Sequence, residues 1–242
     1  VVTMPGRPET SGKRPRGVEE PVRVTRIVDL SRPLGPDTQA YPGDRTPELV
    51  PTSTIGADGY NSTEARLSSH SGTHADAPFH FADDGARLDD LPLELFVGPA
   101  LVVDVTGRGG RTPITRADLA PWEAACTPGT VVLLHTGWSA YYRTEYYFDH
   151  PYLDGEAARM LVDAGVRTIG IDAPSPDATP RGDHPGSDWA AHHAILGAGG
   201  TIIENLCHLE RIDFTDPVFS AFPIRLASGD GAPVRAVAMQ VP

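Results

Sequence analysis

Lysine is almost missing from this 242-residue sequence: Lys13 stands alone, and the other 19 of its 20 basic residues are arginines. Lys13 lies in SGKRPRG, a Pro/Gly/Arg-rich stretch, so nothing in the folded part can serve as a Schiff-base lysine. No GxxxxGK[ST] motif exists either, which removes nucleotide-driven phosphoryl transfer by the Walker route. Cysteine is as scarce, with Cys126 and Cys207 only and no CxxC pair, which argues against a Cys-rich zinc site and a disulfide framework. His208 follows Cys207 directly, but neighbours along an extended chain point to opposite faces, so a Cys–His nucleophile pair is not expected there. Both thiols are expected to behave as buried, indifferent groups. No apolar run approaches ~18 residues, so a transmembrane helix is not expected. The first 26 residues lack the apolar stretch of a signal peptide, which points to the cytoplasm. The formal charge of −12 argues against a nucleic-acid binder, which would show a basic face.

What remains is an ordinary globular composition. The 40% hydrophobic share is too high for a disordered chain, and 242 residues suit one sizeable core. Residues 1–24 read as a flexible tail and 25–242 as one domain. The β-branched runs ALVVDVTG (100–107), TVVLLHTG (130–137), VRTIGIDAPS (166–175), TIIENL (201–206) and PVRAVAMQV (233–241) predict strands. DGEAARMLVDAGV (154–166) predicts an amphipathic helix, and DWAAHHAILGAGG (188–200) a short one capped by Asp188 and stopped by Gly197. Strands interleaved with single helices mean α/β, with a mixed, barrel-like sheet and flanking helices.

The chemistry concentrates in one place. His70, His74, Asp76 and His80 fall within eleven positions, and neutral imidazole with carboxylate is a ligand set for zinc, manganese or iron. On a straight strand the four would spread over about 33 Å at ~3.3 Å per residue, far from the ~2.0–2.2 Å bonds a metal needs. Gly72, Thr73 and Pro78 disfavour a continuous helix. The segment is therefore expected to curl, with Gly72 and Pro78 turning the backbone so the donors converge. Further ligands must come from the second half, where His135, His150, His184, His192, His193, His208 and several acids are available. His192 and Glu204 stand out, because a helix–turn–strand unit could bring both to one end of a sheet. Spacing alone leaves His193 as a competitor of His192, while His184 in RGDHPGSDW reads as solvated.

HSGTHADAPFH (70–80) resembles the H-x-G-T-H-x-D-x-P-x-H signature of the “putative cyclase” family, which includes bacterial kynurenine formamidases and isatin hydrolases. YPGD (41–44), HTGW (135–138), GIDAPSPD (170–177), HHAILGAGGTIIENL (192–206) and DGAPVRAVAM (230–239) resemble further landmarks of that family, in the same order. The resemblance implies a swivelling β/β/α type of fold and a homodimer or larger assembly. It implies that His70 and His74 bind one metal, that Asp76 and Glu204 bridge two, that His192 binds the second, and that His80 is the general acid/base. The twelve-residue step from His192 to Glu204 favours His192 over His193. Tyr41 stands where kynurenine formamidases carry a substrate-contacting Trp, so the aromatic platform stays while its size and hydrogen bonding change.

These readings converge on a hydrolase for a small-molecule amide, cyclic imide or ester, with one or two divalent ions per chain, zinc first and manganese second. Metal-activated water is the expected nucleophile, and a histidine pKa of ~6.5 suits proton shuttling near neutrality. The alternatives are a metal-dependent cyclase or dehydratase acting on a polyketide-like or diketone substrate, and a protein whose metal is only structural. The aromatic stretch WSAYYRTEYYFDHPYLD (138–154) could be a lid, a dimer surface or a packed loop.

Overall fold

A computed structural model describes residues 23–182, 184 and 188–241. The expected tail lies outside the described residues except for its last two positions. Thirteen strands and four α-helices follow in chain order among the described residues: β1 Arg26–Asp29, β2 Glu48–Ser53, α1 Ile55–Asp58, β3 Ser62–Arg66, β4 His74–Asp76, β5 Val97–Asp104, β6 Pro113–Ile114, α2 Arg116–Leu119, β7 Val131–His135, β8 Tyr152–Leu153, α3 Gly155–Asp163, β9 Thr168–Ile171, α4 Ala190–Gly197, β10 Thr201–Glu204, β11 Val218–Ser220, β12 Gly231–Pro233 and β13 Val237–Gln240.

Nine strands form one mixed sheet in the order β1-β13-β11-β5-β7-β9-β10-β4-β12. The central four, β5, β7, β9 and β10, run parallel, and antiparallel strands extend the sheet on both sides. Parallel strands are covered on both faces and so read as continuous apolar runs, as VVLLH does. Their side chains alternate between two cores. Val132, Leu134, Ile169, Ile171 and Ile202 pack with α3 and α4, while Val131, Leu133 and Ile203 pack with Phe96 and Phe219 on the other face.

The expected closing strand 233–241 is two strands. β12 pairs β4 at one edge, and β13 pairs β1 and β11 at the other. Four peptide steps from Pro233 to Val237 reach at most about 14 Å, so the sheet curls back until its edges approach. That is the physical content of the barrel-like expectation.

Asp154 caps α3, its carboxylate accepting from the Ala157 amide, and Gly165 closes the turn at φ +93°. Asp188 does not cap α4. The Asp177 carboxylate does so from a distance, accepting from the Ala191 and His192 amides at 3.0 Å each. At the carboxyl ends of β7 and β9, buried Asp172 accepts from the Thr136 amide and hydroxyl at 2.8 and 2.6 Å and from the Gly137 amide at 2.9 Å, which ties the HTGW turn to GIDAPSPD. No described helix is long and apolar enough to cross a membrane.

Candidate metal centre

The signature segment changes conformation three times in eleven residues. Gly72 turns the chain at φ +65°, β4 carries His74 and Asp76, and Pro78 opens a single 3-10 turn that ends at His80. A left-handed φ is what glycine tolerates without a Cβ penalty. β4 is antiparallel to β10, with Glu204 opposite His74 and Ile202 opposite Asp76. Directly opposed residues share a face, so register alone places Glu204 beside His74. α4 then delivers His192 to the same end of the sheet, at the carboxyl end of the parallel strands where open α/β sheets bind ligands.

Two carboxylates organise the result. Asp76 Oδ1 lies 2.8 Å from His70 Nδ1 and 3.3 Å from His74 Nε2, and its Oδ2 lies 3.7 Å from His192 Nε2. Glu204 turns Oε2 to His74 Nε2 at 3.3 Å and Oε1 to His192 Nε2 at 3.4 Å. Each carboxylate thus presents one oxygen to the His74 side and one to the His192 side. Donors ~2.0–2.2 Å from a tetrahedral ion are about 3.4 Å apart, so these spacings suit a cation between them. Asp76 Oδ2 is buried with no hydrogen-bond partner. An orphaned carboxylate oxygen is costly, and a divalent cation is the partner its chemistry calls for. By proximity of ligand atoms, His74, Asp76 and Glu204 form one group and His70, Asp76 and His80 another. Asp76 Oδ1 is shared by His70 and His74, the two histidines that the resemblance assigns to one cation.

The candidate ligand histidines are aimed from behind. His192 Nδ1 bonds Asp177 Oδ2 at 2.6 Å, His74 Nδ1 donates to the Gly72 carbonyl at 2.9 Å, and His70 Nε2 bonds Asp230 Oδ2 at 3.1 Å. Such outer partners fix the tautomer and orientation of a metal-binding imidazole. Asp177 and Asp230 were not among the expected site residues. Both lie in landmark stretches, GIDAPSPD and DGAPVRAVAM, but their partners are 15 and 160 positions away along the chain.

The titrations follow from this charge pattern. Burial alone would lower the His70 imidazole, but Asp230 and Asp76 outweigh it and raise it to about 9. His74 and His192 are likewise pushed well up against their burial, His74 by Asp76 and Glu204 and His192 by Asp177, Asp76 and Glu204. Burial opposes ionisation of Asp76, yet the three imidazoles hold it well below the carboxylate range. The His70 hydrogen bond keeps Asp230 low. The centre is a well of negative potential in which three imidazoles are favoured in their protonated form, the charge pattern that suits a cation. His80 differs: burial, helped by His70 and His192, lowers its pKa despite Asp76. Its ring lies 4.0 Å from the His70 ring and 6.1 Å from that of His192.

These groups open into a cavity of about 390 Å³ walled by Tyr41, Phe81, Tyr147, Phe148 and Trp189, with Gln39, Asp44, Ser175 and Asn205 as further polar lining. Phe81 stacks on His192 at 4.5 Å and Tyr41 meets Phe148 edge-on at 6.4 Å. Burial pushes the Tyr41 phenol up to about 12, and the nearby Thr179 hydroxyl stops short of hydrogen-bond geometry. Tyr147 and Phe148 come from the aromatic stretch 138–154, which forms a packed wall here, with Tyr141 and Tyr146 exposed. Trp189 was not singled out in the sequence.

The other histidines fall elsewhere. His193 and His184 are exposed, and His150 is buried against Pro151 and Thr179. Cys207 Sγ does contact His208 Nδ1, at 3.4 Å, contrary to the extended-chain expectation, because His208 takes a left-handed backbone at φ +59°. That Nδ1 also donates to the Asp29 carbonyl at 3.0 Å, and burial raises the thiol, so no nucleophile forms.

The sequence profile of the family described as “Putative cyclase” matches residues 28–178. Kynurenine formamidase of Bacillus mycoides is 34% identical over 221 residues, covering 89% of this chain and 98% of that relative. The Salinibacter ruber kynurenine formamidase is 35% identical over 225 residues, with the same coverage. Among solved structures, isatin hydrolase A of Labrenzia aggregata superposes with a TM-score of 0.79 at 28% identity, covering 90% of this chain and 94% of that one. A structure described as a potential metal-dependent hydrolase with cyclase activity gives 0.70 at 28%, covering 88% and 97%. With the profile spanning more than half of its length and curated relatives above 30% identity aligned almost end to end, the chain belongs to the “Putative cyclase” family.

Proposed function

We propose that this centre hydrolyses the C–N bond of an amide, with aryl formamides and cyclic imides as its substrates. The chain is a metal-dependent hydrolase, in keeping with its formamidase and isatin hydrolase relatives. The observation that carries the reading is the pair of buried carboxylates, Asp76 and Glu204, each offering one oxygen to either side of a three-histidine cluster at the floor of an aromatic cavity. The cavity lies in the usual range of about 300–1,000 Å³ for small-molecule sites.

His70 and His74 would hold one cation, His192 a second, and Asp76 and Glu204 both. Two divalent ions would balance the four carboxylates Asp76, Asp177, Glu204 and Asp230 that meet these histidines. The donor set has nitrogen and oxygen but no thiolate and so admits zinc, manganese, iron or cobalt; zinc is placed first and manganese second. When bound, such ions lower the pKa of water from about 15.7 toward about 7 and polarise a carbonyl. His80 supplies the proton transfer: its imidazole, kept neutral by burial, takes a proton at the cavity floor and returns one to the leaving nitrogen. Tyr41, Phe81 and Phe148 provide the apolar faces for an aryl ring. Cyclisation of a diketone would use the same centre, but the relatives above 30% identity are named for formamide hydrolysis.

The test is formate release from formanilide and isatinate formation from isatin by the zinc- or manganese-loaded protein. Activity should vanish with a chelator and return with metal. His80→Ala should keep its metal and lose roughly 10²–10⁴ in turnover. A metal-loaded protein that hydrolyses neither compound would overturn the hydrolase reading.

A further inference from the structure

Asn205 directly follows Glu204 and leaves β10 with φ +57°, in a region that residues other than Gly, Asn and Asp seldom enter. Three hydrogen bonds hold it there. Its amide N–H donates to the Ala173 carbonyl at 2.9 Å, its carbonyl accepts from the Thr73 hydroxyl at 2.9 Å, and its side-chain Oδ1 accepts from the Tyr147 hydroxyl at 3.0 Å. The backbone and the side-chain oxygen are therefore committed. The remaining atom, Nδ2, carries two N–H donors and has no partner among the described residues, although Asn205 is buried and lines the cavity beside Glu204 and Ser175.

Tyr147 explains why the nitrogen is the free end. Its phenol is enclosed in the aromatic wall, against Tyr142 at 5.4 Å and Phe148 at 6.1 Å. Its one O–H is given to Oδ1; a flipped Asn205 amide would donate to the phenol oxygen instead and leave that buried O–H without an acceptor. Asn205 lines the cavity and its Nδ2 is not one of the fully buried orphan atoms, so its two donors are open to a group that enters there. An amide substrate brings one strong acceptor to the cavity floor, its carbonyl oxygen, and negative charge builds there during hydrolysis.

We propose that Asn205 donates from Nδ2 to the carbonyl oxygen of the scissile amide, and that Tyr147 is the positioning residue that fixes the orientation of the Asn205 side chain. This rests on the hydrolase reading above and adds a substrate contact that the signature segment does not contain.

The experiment compares the zinc-loaded wild type with Asn205→Gly, Asn205→Asp and Tyr147→Phe. Glycine keeps the left-handed backbone without a Cβ penalty, and aspartate keeps the shape while replacing the donor by an acceptor. Three quantities are read: kcat and KM on formanilide, zinc per chain, and binding of 2-oxindole, an uncleaved cyclic amide, by calorimetry. Removing one such donor should lower kcat by about 10²-fold and raise KM in step with the loss of 2-oxindole affinity. Asn205→Asp should do at least as much, and Tyr147→Phe less, all with wild-type zinc content. 2-Oxindole should bind the wild type more tightly than it binds Asn205→Gly. Undiminished kcat in Asn205→Gly, or zinc lost in step with activity, would overturn the proposal. A wild type inactive on both formanilide and isatin would defeat the hydrolase reading instead. In that case tighter 2-oxindole binding by the wild type still supports the Asn205 contact, and equal binding overturns it.

Discussion

At the scale of single residues, each histidine proposed as a ligand has one ring nitrogen turned to the centre and the other spent on a fixed acceptor. The Asp177–His192 contact is the shortest of these, at 2.6 Å, and the same carboxylate also accepts two backbone amides of α4. Asp177→Asn keeps the shape but loses the charge that orients and enriches the imidazole. Loss of such a partner weakens metal binding by roughly 10–100-fold. Zinc titration of the metal-free variant should show that drop at the His192 site, and an unchanged affinity would remove Asp177 from the metal's support. His150 offers a contrasting buried imidazole. Its Nδ1 donates to the Pro151 carbonyl and its Nε2 accepts from the Thr179 hydroxyl, each at 2.8 Å, so the neutral ring is fully satisfied. Burial holds its pKa down at about 4. Between about pH 6.5 and 4 the unfolded chain binds a proton that the folded chain refuses, so stability from this residue is present near pH 7 and falls on acidification. With ~1.4 kcal/mol per pKa unit, the loss approaches about 3 kcal/mol at pH 4. Urea midpoints at pH 7 and pH 5 should fall further for the wild type than for metal-free His150→Gln, both measured without metal; equal falls would contradict the assignment.

At the scale of elements, the bend in the signature segment was legible because its causes are local: Gly72 and Pro78 sit between the donors that must converge. Gly72→Ala tests it. The added Cβ would meet Leu34 Cδ1 at 3.0 Å while the backbone stays at φ +65°, and a left-handed L-residue costs roughly 1–2 kcal/mol. The variant should lose about that much stability and bind zinc more weakly; a variant equal to wild type in both would mean the turn does not set the ligands. The parallel strands and α3 were legible for the same reason, since apolar runs and end caps are properties of neighbouring residues. The partners that aim the ligands were not. Asp230 meets His70 across 160 positions, and Asp177 caps α4 in place of the sequence-adjacent Asp188. The hairpin β2–β3 also escaped, because its residues are almost all exposed and its strands carry Pro51 and no apolar alternation.

At the scale of the whole molecule, that hairpin bears on assembly. An isolated two-stranded hairpin is marginal in water, yet this one exposes Leu49, Val50, Ile55 and Tyr60. Family resemblance implies a homodimer, and a second copy covering this apolar surface is the assembly we propose. Light scattering of the wild type should give twice the chain mass, and Leu49→Glu with Ile55→Glu should give the monomer; a dimer indifferent to both changes would place the interface elsewhere. The sheet itself explains why one short segment can build the centre. β4 joins an antiparallel flank to the last parallel strand, so His74 and Asp76 meet Glu204 by register, and the curl that brings β12 to β4 carries Asp230 to His70.

The central claim is that Asp76 and Glu204 each serve two cations. It is tested most directly by calorimetric titration of the metal-free protein with zinc, alongside Asp76→Ala. The expected result is two equivalents bound per wild-type chain and at most one, weakly, in the variant. A wild type that binds no zinc, or an Asp76→Ala protein that still binds two ions with undiminished affinity, would contradict it.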